Sequence, residues 1–243
     1  MATQAEIYRD IATRTGGDIY IGVVGPVRTG KSTFIKKFME TLVLPNIKDE
    51  YERERATDEL PQSAAGKTIM TTEPKFIPDE AVEITMDDGA HFNVRMIDCV
   101  GYVVDSALGY IENDQPRMVI TPWDSGEMEF QKAAETGTRK VINEHSTIGL
   151  VVTTDGSIGE IPRSDYEPVE ARIVSELKEI NKPFVLLVNS MFPESESAAE
   201  LRDELEQKYD VPVMCVNCLE LDEGQIIEII RTVLMNSKWE GHY

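Results

Sequence analysis

Several residue classes are scarce in this chain of 243 residues, and each shortage excludes a class of protein. Lys and Arg number 24 against 44 Asp and Glu, which gives a net charge of −20. The chain therefore lacks the basic surface that a general nucleic-acid binder needs to displace counterions from phosphates. It also has no run of about 18 apolar residues, so we predict no membrane span. With 41% hydrophobic residues, it has the composition of a globular protein.

Cysteine and targeting signals are scarce too. The three cysteines, Cys99, Cys215 and Cys218, cannot all pair, and no second pair accompanies the C-x-x-C spacing of the last two to complete a zinc site. We interpret that spacing as incidental. Residues 1–7 show no basic region followed by an apolar stretch, so we predict no secretory signal and a reducing, cytoplasmic environment.

Short apolar runs alternate with amphipathic stretches along the chain, and this pattern predicts an α/β fold with three layers. We expect a mainly parallel sheet covered by helices on both faces, with one antiparallel strand, 81–86, paired to 91–97 across the Asp-Asp-Gly turn at 87–89. The buried strands are predicted at 19–24, 148–153, 183–188 and 211–216, and the helices at 31–44, 131–143, 169–180, 198–209 and 224–234. Residues 47–60 are compatible with a helix, and 61–78 have the composition of a loop.

A single domain is predicted for residues 1–235, followed by a tail, 236–243. Residues 102–130 fit no regular pattern, and we predict a long irregular surface insertion there. A loop of that length is unusual unless it is functional or mobile.

A phosphate-binding loop is indicated by G-P-V-R-T-G-K-S at residues 25–32, which matches G-x-x-x-x-G-K-[S/T]. A predicted buried strand precedes it and an amphipathic helix follows it, which is the context that the motif requires. Backbone N–H groups of such a loop cradle phosphates, Lys31 reaches the β- and γ-phosphates, and the Ser32 hydroxyl ligates Mg²⁺. The predicted cofactors are therefore ATP and Mg²⁺, and residues 189–192 decide the choice of base. The predicted nucleotide-binding residues of the loop are Gly25, Arg28, Thr29, Gly30, Lys31, Ser32 and Thr33.

Asp98 is the second predicted Mg²⁺ ligand. It follows a predicted strand and opens the D-x-x-G sequence 98–101, in which the Gly101 N–H can bond a γ-phosphate. A switch threonine is expected in the loop at 61–78, where P-loop GTPases place the threonine that ligates Mg²⁺. Thr71 and Thr72 are both candidates, and the sequence does not decide between them; Thr72 is taken here as the metal ligand.

The base pocket departs from that of GTPases. Such proteins read guanine with N-K-x-D after a late strand, whereas this chain has N-S-M-F at 189–192. Asn189 is present, but Ser190 replaces the lysine and Phe192 replaces the aspartate that pairs with the guanine ring N–H and amino group. Adenine has neither group, so ATP is favoured over GTP, with Asn189 as a purine contact.

The chain closely resembles the N-terminal ATPase domain of the stage IV sporulation protein A family. Four stretches carry the resemblance, at residues 14–25, 28–39, 58–75 and 138–149. The resemblance implies a GTPase-like P-loop fold similar to translation-factor-class GTPases. It also implies an ATP-hydrolysing protein of the mother-cell cytoplasm that polymerises on the forespore surface as the basement layer of the spore coat. Implied partners are other copies of the chain, other coat proteins and a small amphipathic membrane peptide.

The family continues past this chain with a middle and a C-terminal anchoring region, so membrane docking and full polymerisation are expected to need those regions. Two alternatives stay open: a scaffold that binds nucleotide without productive hydrolysis, and a regulatory GTPase. The R-T-G-K-S run is also similar to the phosphate loop of guanylate-binding proteins, which implies that Arg28 stabilises the transition state when two domains dimerise. Tyr102 stands where many GTPases place a water-orienting glutamine, which favours such a second source of stabilisation. Pairing of Arg28 with a surface carboxylate is the competing interpretation.

Overall fold

A computed structural model describes residues 6, 9, 12, 13, 15–61, 73–86, 89–106, 111–122 and 124–235. Its centre is a six-stranded sheet in the order β10-β9-β8-β1-β3-β2. The strands are β1 (Asp18–Val24), β2 (Lys75–Thr85), β3 (His91–Asp98), β8 (Ile148–Thr154), β9 (Phe184–Asn189) and β10 (Val213–Val216). All neighbouring pairs are parallel except β2 with β3, as the alternating sequence pattern predicts.

Helices cover both faces of this sheet. Apolar residues of α1 (Lys31–Phe38) and α6 (Glu223–Met235) share one buried cluster with the strands, and those of α3 (Phe130–His145), α4 (Arg163–Ile180) and α5 (Glu196–Tyr209) share another. The short charged helix α2 (Glu50–Asp58) contributes only Ala56 to the first cluster. The three-layer α/β prediction is confirmed. Within the described part of the chain, no helix combines the length and apolar character that a membrane crossing requires.

Several element boundaries differ from the sequence prediction. The helix predicted at 31–44 is α-helical only to Phe38; a π-helical turn, Met39–Val43, and a 3-10 turn, Leu44–Asn46, follow. Strand β2 begins at Lys75, inside the segment expected to be loop, and its pairing with β3 is irregular between Ile77 and Val82. That irregularity lies beside Pro78, which cannot donate a ladder hydrogen bond.

Helix α4 starts at Arg163 rather than at 169 and runs through Pro168. A proline usually limits a helix, but here buried Tyr166 and Glu170 anchor the turns on both sides of it. The segment 102–130 is also more regular than expected, because it carries two hairpins before α3 begins. These are β4 (Ile111–Glu112) with β5 (Gln115–Pro116), and β6 (Met118–Ile120) with β7 (Glu127–Glu129). The single-domain boundaries stay a prediction.

A buried polar cluster joins α4, α5 and the sheet. Glu170 is fully buried and accepts hydrogen bonds from Arg163, from the Thr153 hydroxyl at 2.5 Å and from the Tyr209 hydroxyl at 2.9 Å. Because removing one partner of a buried ion pair leaves the other charge uncompensated, such pairs are costly to break. The cluster therefore fixes α4 and α5 against the end of β8.

We expect Glu170→Ala to lower the free energy of unfolding by roughly 3–5 kcal/mol, because Arg163 would keep its charge without its buried partner. Glu167→Ala is the matched control, since Glu167 is half exposed and lies 4.0 Å from the same guanidinium. It should change stability by less than about 1 kcal/mol. Urea unfolding followed by circular dichroism measures both, and equal losses in the two variants would contradict the assignment.

Candidate nucleotide-binding site

The phosphate loop lies at the carboxyl end of the sheet. It leaves β1 at Val24 and enters α1 at Lys31, and neighbouring β3 ends at the same edge because Val23 pairs with Asp98. In open parallel sheets, ligands bind beyond the carboxyl ends of the strands where the chain order reverses, and β1 is that strand here.

Two glycines of the loop are required by close contacts. A Cβ at Gly25 would lie 2.1 Å from the Val152 carbonyl oxygen, and one at Gly30 would lie 2.3 Å from the Asn189 amide nitrogen. Gly30 also has φ of 98° directly before α1, a conformation that side chains disfavour. The backbone can therefore approach a phosphate group at the helix N-terminus without obstruction by side chains.

Lys31 is buried at the start of α1, and its Nζ donates a hydrogen bond to the Pro26 carbonyl at 2.8 Å. Thr29 is buried behind it and donates to the same carbonyl at 3.0 Å. Burial lowers the pKa of Lys31 to about 8, although the nearby Asp98 carboxylate opposes this effect. A lysine desolvated in this way favours the arrival of an anion, which would stabilise its charged form.

Ser32 and Asp98, the two predicted Mg²⁺ ligands that the structure describes, are adjacent. The Ser32 hydroxyl donates to Asp98 Oδ2 at 2.6 Å. Burial raises the pKa of Asp98, while the Ser32 hydrogen bond and Lys31 lower it. A hydroxyl and a carboxylate are the hard oxygen donors that Mg²⁺ prefers, and phosphates complete such sites in nucleotide-binding proteins. These residues therefore fit the metal. Thr33 follows, half-buried in the first turn of α1.

Gly101 lies against the phosphate loop. A Cβ there would be 2.7 Å from Val27 Cα and 2.8 Å from Lys31 Nζ, so only glycine fits between them. The next residue, Tyr102, continues this contact through two backbone hydrogen bonds with the loop. The Tyr102 N–H donates to the Gly25 carbonyl at 3.0 Å, and the Val27 N–H donates to the Tyr102 carbonyl at 2.9 Å. The D-x-x-G segment thus runs beside the loop like an additional parallel strand.

The Tyr102 side chain packs against α4. It is 2% exposed, and its hydroxyl donates to Glu176 on α4 at 2.6 Å, with the Arg172 guanidinium over the ring. Burial and the Glu176 carboxylate raise the pKa of this phenol well above its usual range. Tyr102 is therefore a structural anchor for the D-x-x-G segment and does not replace a water-orienting glutamine.

Asn189 joins three segments at the end of β9. Its amide nitrogen donates to the Thr29 carbonyl at 3.0 Å, and its amide oxygen accepts the Cys218 N–H at 3.0 Å. The side chain is 5% exposed and connects the phosphate loop to the loop after β10. Asn189 therefore acts as a brace between these loops, and its contact with a purine stays a prediction.

Arg28 occupies the tip of the phosphate loop with φ of 61°, and its side chain is exposed. Its carbonyl accepts a hydrogen bond from the Tyr166 hydroxyl at 3.5 Å. A left-handed conformation at a non-glycine residue costs of order 1–3 kcal/mol and occurs preferentially at functional sites. Thr71 and Thr72 lie outside the described residues, so the switch threonine stays a prediction.

Chain comparisons agree with this geometry. Residues 2–237 match the family model of the stage IV sporulation protein A ATPase domain. The chain is 56% identical to stage IV sporulation protein A of Bacillus anthracis over 231 residues and 55% identical to that of Bacillus subtilis over 231 residues, covering 95% of this chain in each case. It belongs to the stage IV sporulation protein A family. The chain spans about half of these relatives, 47% of each.

A relative from Clostridioides difficile gives the same result, with 56% identity over 228 residues, 94% of this chain and 46% of the relative. Among solved structures, the crystal structure of an SsGBP mutation variant aligns with a TM-score of 0.52 and 12% identity over 100% of this chain and 67% of the other. That likeness shows the fold alone. The predicted α/β architecture, a mostly parallel six-stranded sheet covered by helices, is confirmed in this member of the sporulation protein A family.

Two features of the site were not identified from the sequence. Asp155 follows β8 in T-T-D-G-S, and its carboxylate accepts hydrogen bonds from the Ser190 hydroxyl at 2.5 Å and the Ser157 hydroxyl at 2.6 Å. The pairing of Tyr102 with the phosphate loop is the other. A polar cluster directly after a buried strand at the ligand-binding edge could have indicated Asp155, whereas no residue pattern announces a backbone contact such as that of Tyr102.

The pKa of Lys31 predicts that ATP affinity decreases above pH 8. Above pH 8 the free protein loses the charge of Lys31, whereas bound phosphates would raise the Lys31 pKa. At a pH between the free and the bound pKa of Lys31, ATP binding therefore takes up a proton. Affinity should then fall by up to about tenfold per pH unit. Calorimetry at pH 7 and pH 9, in buffers of different ionisation enthalpy, measures this uptake. Lys31→Arg, which cannot deprotonate, should show none, and equal uptake in both proteins would contradict the role of Lys31.

Proposed function

We propose that this chain binds ATP with Mg²⁺ and hydrolyses the terminal phosphoanhydride bond, and that turnover drives self-assembly of the spore coat basement layer. The observation that carries the proposal is the convergence of Lys31, the Ser32–Asp98 pair and Gly101 at one end of the sheet. Membership of a family whose domain is described as an ATPase supports the same activity. The location at the forespore surface in the mother-cell cytoplasm, and the coat-protein and membrane-peptide partners, are part of this proposal.

Each residue has a distinct proposed task. Lys31 neutralises charge on the β- and γ-phosphates, and the N–H groups of the loop and of Gly101 orient the terminal phosphoryl group. Ser32 and Asp98, with Thr71 or Thr72, would hold the metal, which would supply further neutralisation of the developing charge. Positioning and electrostatics account for most catalysis of phosphoryl transfer, so this set can support hydrolysis once a water molecule is oriented.

Lys31→Ala should abolish tight ATP binding, because the charge on the β- and γ-phosphates is lost. Asp98→Asn should keep much of the binding and lose Mg²⁺-dependent turnover. Binding is measured with a fluorescent ATP analogue, and turnover by phosphate release. Turnover of Lys31→Ala at the parent rate would overturn the assignment of the phosphate loop. Assembly by Asp98→Asn equal to that of the parent would instead favour a scaffold that needs only bound nucleotide.

A preference for ATP over GTP is supported by the two residues that differ from the guanine-reading motif. Ser190 is fully buried and donates to Asp155, and the Phe192 side chain is 67% exposed and apolar. Neither offers a carboxylate to the guanine ring N–H and amino group. Because Asn189 can contact either purine, the expected preference is modest.

A competition titration of labelled ATP with unlabelled ATP and GTP tests this preference. Unlabelled ATP should displace labelled ATP from the parent protein at lower concentrations than unlabelled GTP does. Phe192→Asp should narrow or reverse the difference, because an aspartate there would accept hydrogen bonds from guanine. Much tighter binding of GTP by the parent would support the regulatory GTPase alternative and contradict this proposal.

Arg28 is the proposed source of additional transition-state stabilisation. The Arg28 side chain is exposed at the tip of the phosphate loop. Tyr102, which stands where many GTPases have a water-orienting glutamine, is buried and hydrogen-bonded to Glu176, so the proposed site needs another residue for that role. An arginine acting in this way contributes roughly a thousandfold or more in rate. We propose that it does so within its own chain when two copies associate.

Arg28→Ala should keep ATP affinity, lose most turnover and lose any rise of specific activity with protein concentration. Arg202→Ala is the matched control, since Arg202 lies on α5 and pairs with the adjacent Asp203. Phosphate release is measured across a hundredfold range of protein concentration. Parent-like turnover of Arg28→Ala over that whole range would contradict the role of Arg28.

A further inference from the structure

Asp155 is the centre of a hydrogen-bond relay next to the base side of the site. One carboxylate oxygen accepts from the Ser190 hydroxyl at 2.5 Å. The other accepts from the Ser157 hydroxyl at 2.6 Å and from the Ser157 N–H at 2.9 Å. Both serines donate their single proton to the carboxylate, so each hydroxyl oxygen is left as an acceptor in a fixed direction.

The two serine oxygens are used by the backbone of the loop after β9. Ser157 Oγ accepts the Met191 N–H at 2.9 Å, and Ser190 Oγ accepts the Phe192 N–H at 3.0 Å. Two consecutive N–H groups of this loop therefore reach Asp155 through one hydroxyl each. The connection between the ends of β8 and β9 is polar and directional, and a satisfied hydrogen-bond network of this kind rigidifies the loop.

The loop held in this way borders the phosphate loop. It begins at Asn189, whose amide bonds both Thr29 and Cys218, and Ser190 N–H donates to the Val216 carbonyl at 2.9 Å. Its next two side chains, Met191 and Phe192, are 44% and 67% exposed although they are apolar. Leu219, 64% exposed, projects from the loop that Asn189 bridges to. Exposed apolar side chains beside a binding site commonly mark a surface that a ligand covers.

A carboxylate is required at position 155 for this relay. Among the described residues, no Lys, Arg or His forms an ion pair with Asp155, so its charge is balanced by hydroxyl and N–H donors. An amide at this position would accept a hydrogen bond from the serine on one side only and would present N–H donors to the serine on the other side, which would then have to direct its own proton elsewhere. The arrangement is therefore specific to an aspartate.

We infer that Asp155 is a positioning residue for the nucleotide base. Through Ser157 and Ser190 it holds the 190–192 loop so that the exposed apolar side chains of Met191 and Phe192 are presented to a purine. This relay takes the place of the side-chain contacts that a lysine and an aspartate make in the guanine-reading motif. The inference rests on the proposed binding of ATP, and it adds a determinant of affinity for the base that the phosphate loop does not supply.

The test compares a nucleotide with a probe that has no base. Binding of ATP and of inorganic tripolyphosphate, each with Mg²⁺, is measured by calorimetry for the parent, Asp155→Ala, Asp155→Asn, Ser157→Ala and Ser190→Ala. Asp155→Ala should weaken ATP binding roughly tenfold, as expected for two lost hydrogen-bonded connections, and leave tripolyphosphate binding unchanged. The other three variants should show smaller losses for ATP alone. KM for ATP should rise in Asp155→Ala, with kcat at saturation kept.

Asp124→Asn is the matched control, because Asp124 forms a similar short-range contact, with the Gly126 N–H at 3.3 Å, between strands β6 and β7. It should bind both probes like the parent. Parent-like ATP affinity in Asp155→Ala would overturn the inference, as would an equal loss for ATP and tripolyphosphate, which would show a general disturbance of the site. If Asp155→Ala does not fold, Ser157→Ala and Ser190→Ala decide by the same criterion. Failure of the parent itself to bind ATP would overturn the proposed function and this inference with it.

Discussion

Strand β1 is paired in parallel on both sides, and the position of each group of the candidate nucleotide-binding site depends on this pairing. The register sets Val23 opposite Asp98 on β3 and Val24 opposite Val151 on β8. The phosphate loop, the D-x-x-G segment and the segment after β8 therefore leave the sheet at one edge. Lys31 then begins α1 buried against the phosphate loop and the D-x-x-G segment, where desolvation lowers its pKa and favours a bound anion. Without this register, Ser32 and Asp98 would not meet.

The base side depends on a second set of constraints that begins at β9. Asn189 takes the position that it has in the guanine-reading motif, but both ends of its amide are used to join the phosphate loop to the loop after β10. This explains why the asparagine can be present in a chain that lacks the lysine and aspartate of the motif. The structural role of Asn189 does not depend on a bound nucleotide, whereas the proposed preference for ATP depends on Ser190 and Phe192.

The layers, the parallel order and the phosphate loop could be predicted from the sequence because each rests on a local pattern. Apolar runs such as 184–188 specify buried strands, and the 25–32 motif has a required context of strand and helix. The start of α4 could not be predicted in the same way, since buried contacts of Tyr166 and Glu170 override the local effect of Pro168. Tyr102 acts through backbone contacts with a distant segment, which no sequence pattern reveals. The polar residues after β8 could have indicated the position of Asp155, but not its hydrogen bond to Ser190 on a distant segment.

The central claim is that ATP turnover at this site is coupled to assembly, and one sample can test it directly. Purified chain is incubated with Mg²⁺-ATP, and phosphate release and the sedimenting fraction are measured at the same time points. We expect phosphate release to require Mg²⁺ and the sedimenting fraction to increase with it, while a non-hydrolysable ATP analogue gives little sedimentation. Sedimentation that is equally fast with the analogue, or phosphate release that is unchanged when Mg²⁺ is chelated, would contradict the account.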